Sequence, residues 1–296
     1  MKYIMAQPAV KRFEWEIQVC VHSLIKAGVK REDIIILFSK HNDEVKNNIL
    51  DLGVNVFVYE DSRYDYEYIP SLKPYLMYRY LSENRLRENE TYFFMDSDVV
   101  IKDIPNQVDL ETEYKTFYGS DCNGYLNYDY IKQCKNGKKI LKDMAEIIGI
   151  SVEEIKENNN NNIGAQYIMH NPSAIYFKKV YEDSIKLWKY IKDVDTDFQK
   201  WAVEMNATIW NMLYFSIIPK VNKDLNFTWA TDPIEDWDKN KIFHNAGVPN
   251  DEEGIFFKGK YTQSSPFEDD LNNFDKDKAS YKYVEKIKET KEWLGK

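Results

Sequence analysis

The first sixty residues alternate between two hydrophobic periods, and that alternation limits the architecture more than any other feature of the chain. "KYIM" (2–5) is a short apolar run. Residues 13–26 then set Ile17, Val21, Leu24 and Ile25 at helical spacing, and the pattern stops at Gly28. "DIIILF" (33–38) is continuous and β-branched, residues 43–52 have helical spacing, and "VNVFVY" (54–59) is β-branched again. Parallel strands need crossover connections, and strands apolar on both faces need a helical layer on each. The β-α-β-α-β pattern therefore predicts an α/β fold with a mainly parallel central sheet. With 296 residues, 43% hydrophobic and 15% aromatic, the chain can fill such a core.

No window approaches the roughly 18–20 unbroken apolar residues of a membrane helix. "MKYIMAQPAVKRFEW" has neither the apolar run nor the cleavage site of a signal peptide, so a cytoplasmic location is expected. Cys20, Cys122 and Cys134 are an odd number without CxxC spacing, which points to reduced thiols and away from a disulfide framework or a zinc site. A formal charge of -9 argues against a broadly basic nucleic-acid-binding surface. One local exception is "YIKQCKNGKKILKD" (130–143), where Lys132, Lys135, Lys138, Lys139 and Lys142 cluster.

The stretch "TYFFMDSDVVIKD" (91–103) reads as a strand over 91–100 that ends on two aspartates one residue apart. Charges that follow a buried strand at once are costly unless something neutralises them. On an extended backbone Asp96 and Asp98 point to one side, and hard carboxylate oxygens there suit Mg²⁺ or Mn²⁺, which in turn can hold a diphosphate. Ligands of open α/β sheets bind beyond the carboxyl ends of strands, where this pair would sit. The plain alternative is a turn or helix-cap pair. "KIFHNAGV" (241–248) adds His244, whose imidazole suits a borderline ion, beside Ala246 and Gly247, small enough for backbone amides to approach phosphate oxygens. His22, His41 and His170 lie in helix-like or loop contexts and read as structural.

In the second half, the asparagine run 158–162 reads as a loop, and Asn171 as the cap of a helix whose first residue is Pro172. After Trp237 the apolar density falls, and no Pro/Gly/Ser-rich linker is visible. One domain over residues 1–268 is expected, followed by a charged tail, 269–296, with a helix near 281–294.

Six motifs in order, "RFEWEIQVCVHSLIKAG", "IPSLKPYLMYRYL", "YFFMDSDVVI", "NIGAQYIMHNPSAI", "WAVEMNATIW" and "FHNAG", resemble the hydroxyproline O-arabinosyltransferase and peptidyl-serine galactosyltransferase group and related phage glycosyltransferases. The likeness runs from about residue 13 to 247. It implies a GT-A (Rossmann-like) nucleotide-sugar-binding fold and a metal-dependent hexosyl- or pentosyltransferase that uses Mn²⁺ or Mg²⁺ and a nucleoside diphosphate sugar, a UDP-sugar by expectation. The implied metal ligands are Asp98 and His244, with Asp96 on the metal or the ribose. Ala6, Gln7 and Pro8 would hold the nucleoside and Lys73 a phosphate, while Ser97, Asn245, Gly247 and Lys258 complete the donor-binding set. Gln166, with Gly164 allowing close approach, has an amide suited to sugar hydroxyls. Asp121, Glu204 and Asp197 are the acids expected near sugar or acceptor.

Transfer in the resembled group retains anomeric configuration, so retention is expected, with a leaving-group phosphate oxygen taking the acceptor proton. Inversion would need a carboxylate base, and Glu204, Asp197 and Asp121 all stay open for that role. The expected acceptor is an intracellular hydroxyl. A hydroxymethylated pyrimidine in DNA leads on the phage resemblance and the lysine cluster; a peptide, glycan or small molecule is the alternative. Two other classes compete. A sugar nucleotidyltransferase lacks its Gly-rich basic loop in "MKYIMAQPAVKRF". A non-catalytic carbohydrate binder would explain 22 tyrosines and seven tryptophans, but has no need of Asp98 and His244 together.

Overall fold

The computed structural model describes residues 1–106 and 115–296. Its strands are β1 (Lys2–Pro8), β2 (Ile34–Ser39), β3 (Asn55–Tyr59), β4 (Thr91–Phe94), β5 (Val99–Ile101), β6 (Thr116–Asp121), β7 (Ile163–His170), β8 (Ile218–Val221), β9 (Phe227–Trp229) and β10 (Ile242–His244). Its α-helices are α1 (Lys11–Lys26), α2 (Asp43–Leu50), α3 (Leu72–Glu83), α4 (Asn123–Leu126), α5 (Tyr128–Gln133), α6 (Gly137–Ile148), α7 (Val152–Glu157), α8 (Ala174–Ile191), α9 (Val203–Tyr214) and α10 (Ala279–Trp293). These elements form two compact units. The first takes Tyr3–Val58, Met95–Asn106 and Asp224–Lys296; the second takes Met1–Lys2, Tyr59–Phe94 and the described residues from 115 to 223.

In the first unit the predicted β-α-β-α-β run is present. The strands lie in the order β3-β2-β1, with β1 and β2 parallel from Tyr3↔Ile34 to Pro8↔Ser39. All six residues of β2 are buried, as its unbroken apolar run requires. Helix α1 buries every residue from Glu14 to Leu24. A smaller sheet, β5-β10-β9, pairs β10 antiparallel with β5 and parallel with β9. Trp15, Phe243, Phe256 and Tyr283 build the aromatic core; Phe243 stacks on Tyr283 at 5.2 Å, and Trp15 meets Phe256 edge-on at 5.8 Å. Residues beyond 268 supply Leu271, Ala279, Tyr283, Val284 and Ile287 to that core. Burial stabilises by about 1.5–3 kcal/mol per large apolar side chain, enough to tie the terminal helix to the unit.

The second unit has strand order β4-β7-β6-β8, with β7 antiparallel to both neighbours and β6 parallel to β8. The β6–β7 register jumps between Gly119, opposite Tyr167, and Ser120, opposite Gly164. Ala165 turns left-handed there (φ 56°), so the bulge re-aims Gln166. Gly164 is forced by close packing: a Cβ would lie 2.3 Å from Met205 Cε and 2.7 Å from Cys122 Sγ.

Two sequence expectations need correcting. The strand expected over 91–100 is two strands, β4 and β5, because Asp96, Ser97 and Asp98 leave the ladder to make side-chain and turn contacts. Helix α8 starts at Ala174, capped by Ser173, whose hydroxyl accepts from the Tyr176 N–H at 3.2 Å. Asn171 instead sits at φ 50° and its N–H donates to Glu90 O. The three cysteines are free and buried, and no helix among the described residues is long and apolar enough to cross a membrane.

Candidate functional site

In the first unit, the turn between Met95 and Asp98 is built by hydrogen bonds that the ladder no longer uses. Met95 N–H donates to Ile4 O, fixing the turn beside β1. Ser97, almost wholly buried, donates through Oγ to Glu16 Oε2 at 2.7 Å and accepts from Gln7 Nε2 at 3.1 Å. The Asn245 N–H donates to Asp98 O at 2.9 Å, which joins the turn to the end of β10. These bonds bring the expected metal residues together. His244 Nε2 lies 3.3 Å from Asp98 Oδ1 and 3.7 Å from Asp96 Oδ2, and one ligand atom from each of the three falls within 4.8 Å of the others. Phe227 packs edge-on against the imidazole at 5.0 Å and fixes its plane.

A second layer surrounds Asp98. The Lys258 ammonium contacts Asp98 Oδ2, and Arg12 Nε lies 3.3 Å from the buried Glu16 Oε1. Burial by itself would raise Asp98, but the Lys258 charge and His244 outweigh it and hold this carboxyl below the usual carboxylate range. Glu16 moves the other way: burial and then the neighbouring Asp98 charge raise it, and Lys258, Arg12 and Ser97 offset this only in part. For Lys258, burial works against the charge, yet Asp98 and Glu16 raise its pKa further, so the ammonium stays protonated.

Two features of this cluster fit a divalent cation with a polyphosphate. Two hard carboxylates and one imidazole match the donor preference of Mn²⁺. The Asn245 side chain is 2% exposed, and among the described residues neither its amide nitrogen nor its oxygen has a hydrogen-bond partner. An orphaned buried amide is costly, and a bound ion or ligand is one arrangement that would satisfy it. Gly247, two residues on, takes φ 80°, where a side chain would be strained. Of the expected nucleoside residues, Ala6 is fully buried, Gln7 is committed to Ser97, and Pro8 ends β1.

The remaining predicted residues lie in the second unit. Glu204 stands in the first turn of α9 and is 6% exposed; its Oε1 accepts from Thr208 Oγ1 at 3.0 Å and its Oε2 lies 3.8 Å from Lys73 Nζ. Its N–H donates to Tyr68 Oη, which itself donates to Trp201 O at 2.6 Å. Lys73, expected at a phosphate, is thus beside a carboxylate. Gln166 is fully buried, its Oε1 accepting from Ser120 Oγ at 2.9 Å. Asp121 is exposed at the end of β6, where its Oδ1 accepts from the Asn123 N–H. Asp197 is exposed and accepts from the Lys135 N–H at 2.7 Å, a loop-fixing bond. Within the lysine cluster, Lys135 pairs with Asp195 and Lys139 with Asp143.

Neither a protein-family model nor a curated protein matches the sequence. Solved structures do match in fold. The apo structure of the bifunctional glycosyltransferase WbbM is 13% identical with a TM-score of 0.50; the match covers 96% of this chain and 51% of that one. The chain therefore spans about half the length of WbbM. The galactosyltransferase LgtC, solved with donor and acceptor sugar analogues, is 12% identical over 100% of this chain and 97% of its own, at a TM-score of 0.48. Glucosyl-3-phosphoglycerate synthase from Mycobacterium tuberculosis, solved with Mn²⁺, UDP and glucosyl-3-phosphoglycerate, is 16% identical over 76% and 70% of the two chains, at 0.40. At these identities the likeness speaks to fold alone, and the WbbM match carries it: the chain has an α/β fold of the GT-A, Rossmann-like kind.

Sequence reasoning missed Glu16, Arg12, Tyr68 and Thr208. A signal for Glu16 existed: it sits between Trp15 and Ile17 in an otherwise largely apolar stretch, and a charge so placed needs partners. Tyr68 and Thr208 carried no comparable mark.

Proposed function

We propose that the protein is a metal-dependent glycosyltransferase that moves a sugar from a nucleoside diphosphate sugar to a hydroxyl acceptor. The observation that carries this reading is the convergence of Asp96, Asp98 and His244 next to the orphaned Asn245 amide, in a GT-A fold. In it, Asp96, Asp98 and His244 hold Mn²⁺ or Mg²⁺. The cation would offset negative charge as it develops on the departing diphosphate. Lys258, Asn245 and the backbone at Gly247 bind the diphosphate, and Ala6, Gln7 and Pro8 form the floor of the nucleoside site. Ser97 orients the aspartates through Gln7 and Glu16.

Within the second unit, Glu204, Gln166 and Asp121 are the side chains we assign to sugar or acceptor hydroxyls, and Lys73 Nζ lies 3.8 Å from Glu204 Oε2. Transfer breaks the anomeric C–O bond to phosphate and forms one to the acceptor oxygen; the acceptor proton passes to a phosphate oxygen of the leaving group, with retention. The arabinosyl- and galactosyltransferase group remains the relationship we infer from the motifs. Hydroxymethylated DNA stays an acceptor to test, although the ion pairs of Lys135 and Lys139 engage two of the five clustered lysines and weaken a phosphate-tracking role.

The test is thermal stabilisation by UDP-sugars with and without Mn²⁺, in the wild type, Asp98→Asn and His244→Ala, followed by donor hydrolysis. A ligand that binds only the folded protein stabilises it by about 2.7 kcal/mol at 100 times its Kd. Stabilisation should need Mn²⁺ and vanish in both variants. Equal stabilisation in Asp98→Asn, or binding without any hydrolysis or transfer, would sink the reading in favour of a nucleotide-sugar binder.

A further inference from the structure

Trp201 is 59% exposed, an unusual state for so large an apolar ring. Its backbone is not loose. The Trp201 carbonyl accepts from Tyr68 Oη at 2.6 Å, Gln199 N–H donates to Tyr130 Oη at 3.0 Å, and Phe198 is buried against the Tyr130 ring at 6.2 Å. An indole held out to solvent by a fixed backbone is preorganised for contact.

A second ring lies alongside it. Tyr125, half-buried on α4, sits 6.0 Å from the Trp201 ring with its plane tilted by 30°, and its hydroxyl donates to Cys122 Sγ at 3.0 Å. That sulfur packs where a Cβ on Gly164 would stand, so the paired rings join the bulge that positions Gln166. Asp121, exposed and adjacent to Cys122, borders the same surface. Two aromatic faces next to a carboxylate select a particular chemistry. The C–H face of a pyranose stacks on aromatic rings while its hydroxyls donate to carboxylates. A nucleobase would stack equally well but would bring phosphates toward Asp121, where like charges repel.

We propose that Trp201 and Tyr125 form an acceptor platform, and that the acceptor is a neutral carbohydrate whose ring stacks there with Asp121 receiving its hydroxyls. This rests on the glycosyltransferase reading above and adds the acceptor class to it.

The experiment supplies the full-length protein with Mn²⁺ and labelled UDP-glucose or UDP-galactose. The acceptors are methyl β-galactoside, methyl β-glucoside, lactose, cellobiose, 5-hydroxymethyl-deoxycytidine, hydroxymethylated duplex DNA and a hydroxyproline peptide. Acceptor-independent donor hydrolysis is measured in parallel. Label should reach a saccharide. Trp201→Ala should raise the KM for that saccharide about 10-fold or more, as expected for loss of one aromatic stacking contact, while Trp201→Tyr stays within about 3-fold. Donor hydrolysis should be unchanged in both variants, which also shows them folded. Transfer only to DNA, the nucleoside or the peptide, or a saccharide KM unaffected by Trp201→Ala, overturns the platform while intact donor hydrolysis leaves the glycosyltransferase reading standing. Loss of Mn²⁺-dependent donor binding in the wild type overturns both, since the acceptor would then have no donor to receive from.

Discussion

Replacing Lys258 by Met should destabilise the metal-free protein and make its stability depend on Mn²⁺. The ammonium sits against Asp98, whose side chain is 5% exposed, with Glu16 close behind; a quarter of the lysine side chain reaches solvent. Methionine keeps the stem's packing and removes only the charge, so the change isolates electrostatics. Removing one partner of a fully buried pair costs about 3–5 kcal/mol, whereas an exposed pair contributes about 0–1. With one partner buried and the other partly open, the expected loss is about 2–3 kcal/mol, with His244 and Arg12 left to face the two acids. At about 2–4 °C per kcal/mol for a chain of this size, the midpoint should fall by about 4–12 °C.

The assay is thermal unfolding at pH 7, first in chelator and then in millimolar Mn²⁺. On the function proposed above, a divalent cation held by Asp96, Asp98 and His244 would restore the missing positive charge, so Mn²⁺ should recover most of the lost stability and raise the variant's midpoint more than the wild type's. The pH dependence has a defined sign. Asp98 is depressed in the fold, so its contribution is present above the unfolded carboxylate pKa and fades as pH falls through the folded value; the gap between wild type and variant should narrow toward acid. A variant as stable as wild type in chelator, or equal Mn²⁺ shifts in both proteins, would refute the reasoning.

Gly137→Ala should destabilise by about 2–4 kcal/mol in chemical unfolding, because the new Cβ would stand 1.9 Å from Ile131 O, a backbone atom that cannot swing away; Gly124→Ala, with nothing within 4 Å, should stay within about 0.5 kcal/mol. His22 stacks on Trp293 at 4.6 Å and bonds Thr290 Oγ1, and burial, followed by the Lys26 charge, lowers its pKa. Its neutral form is therefore the stabilising one: unfolding free energy should drop as pH falls below about 6.5, the ordinary histidine value, and His22→Gln should flatten that slope between pH 7 and 5.5 in denaturant titrations.

The periodic part of the fold was legible because the period is set by burial. β1, α1, β2, α2 and β3 appear within one to three residues of where hydrophobic spacing put them. The strand break at Asp96–Asp98 was not legible, since its cause lies in groups far along the chain: Glu16 below Ser97, and Asn245 reaching back to the Asp98 carbonyl. The start of α8 was misplaced by two plausible caps two residues apart, Asn171 and Ser173, of which the Ser173 hydroxyl is the one that accepts from a helix N–H, that of Tyr176. The bulge that turns Gln166 inward depends on Ala165 at φ 56°, a conformation that no local rule assigns to alanine.

Acids in apolar surroundings were the most useful mark in this sequence, yet they do not all mean the same thing. Asp183 in α8 is as buried as Asp98, and in sequence it looks no different, a carboxylate among Val180, Tyr181 and Ile185. Its ion-pair partners, Lys179 and Lys186, sit four residues before and three after, and Asn211 completes the shell. That is a helix neutralising its own charge, and it requires nothing from outside. Asp98 draws on Lys258, 160 residues away, and on His244, whose imidazole is also a good metal ligand. Glu204 is mixed, taking Thr208 from the next turn of its own helix and Lys73 from 131 residues earlier in the chain. When a buried acid could have been satisfied within one helical turn and is met instead by distant, metal-competent or donor side chains, the fold has spent long-range organisation on that position. Stability alone does not require this arrangement, because a local pair such as that of Asp183 achieves it; the cation site proposed above would.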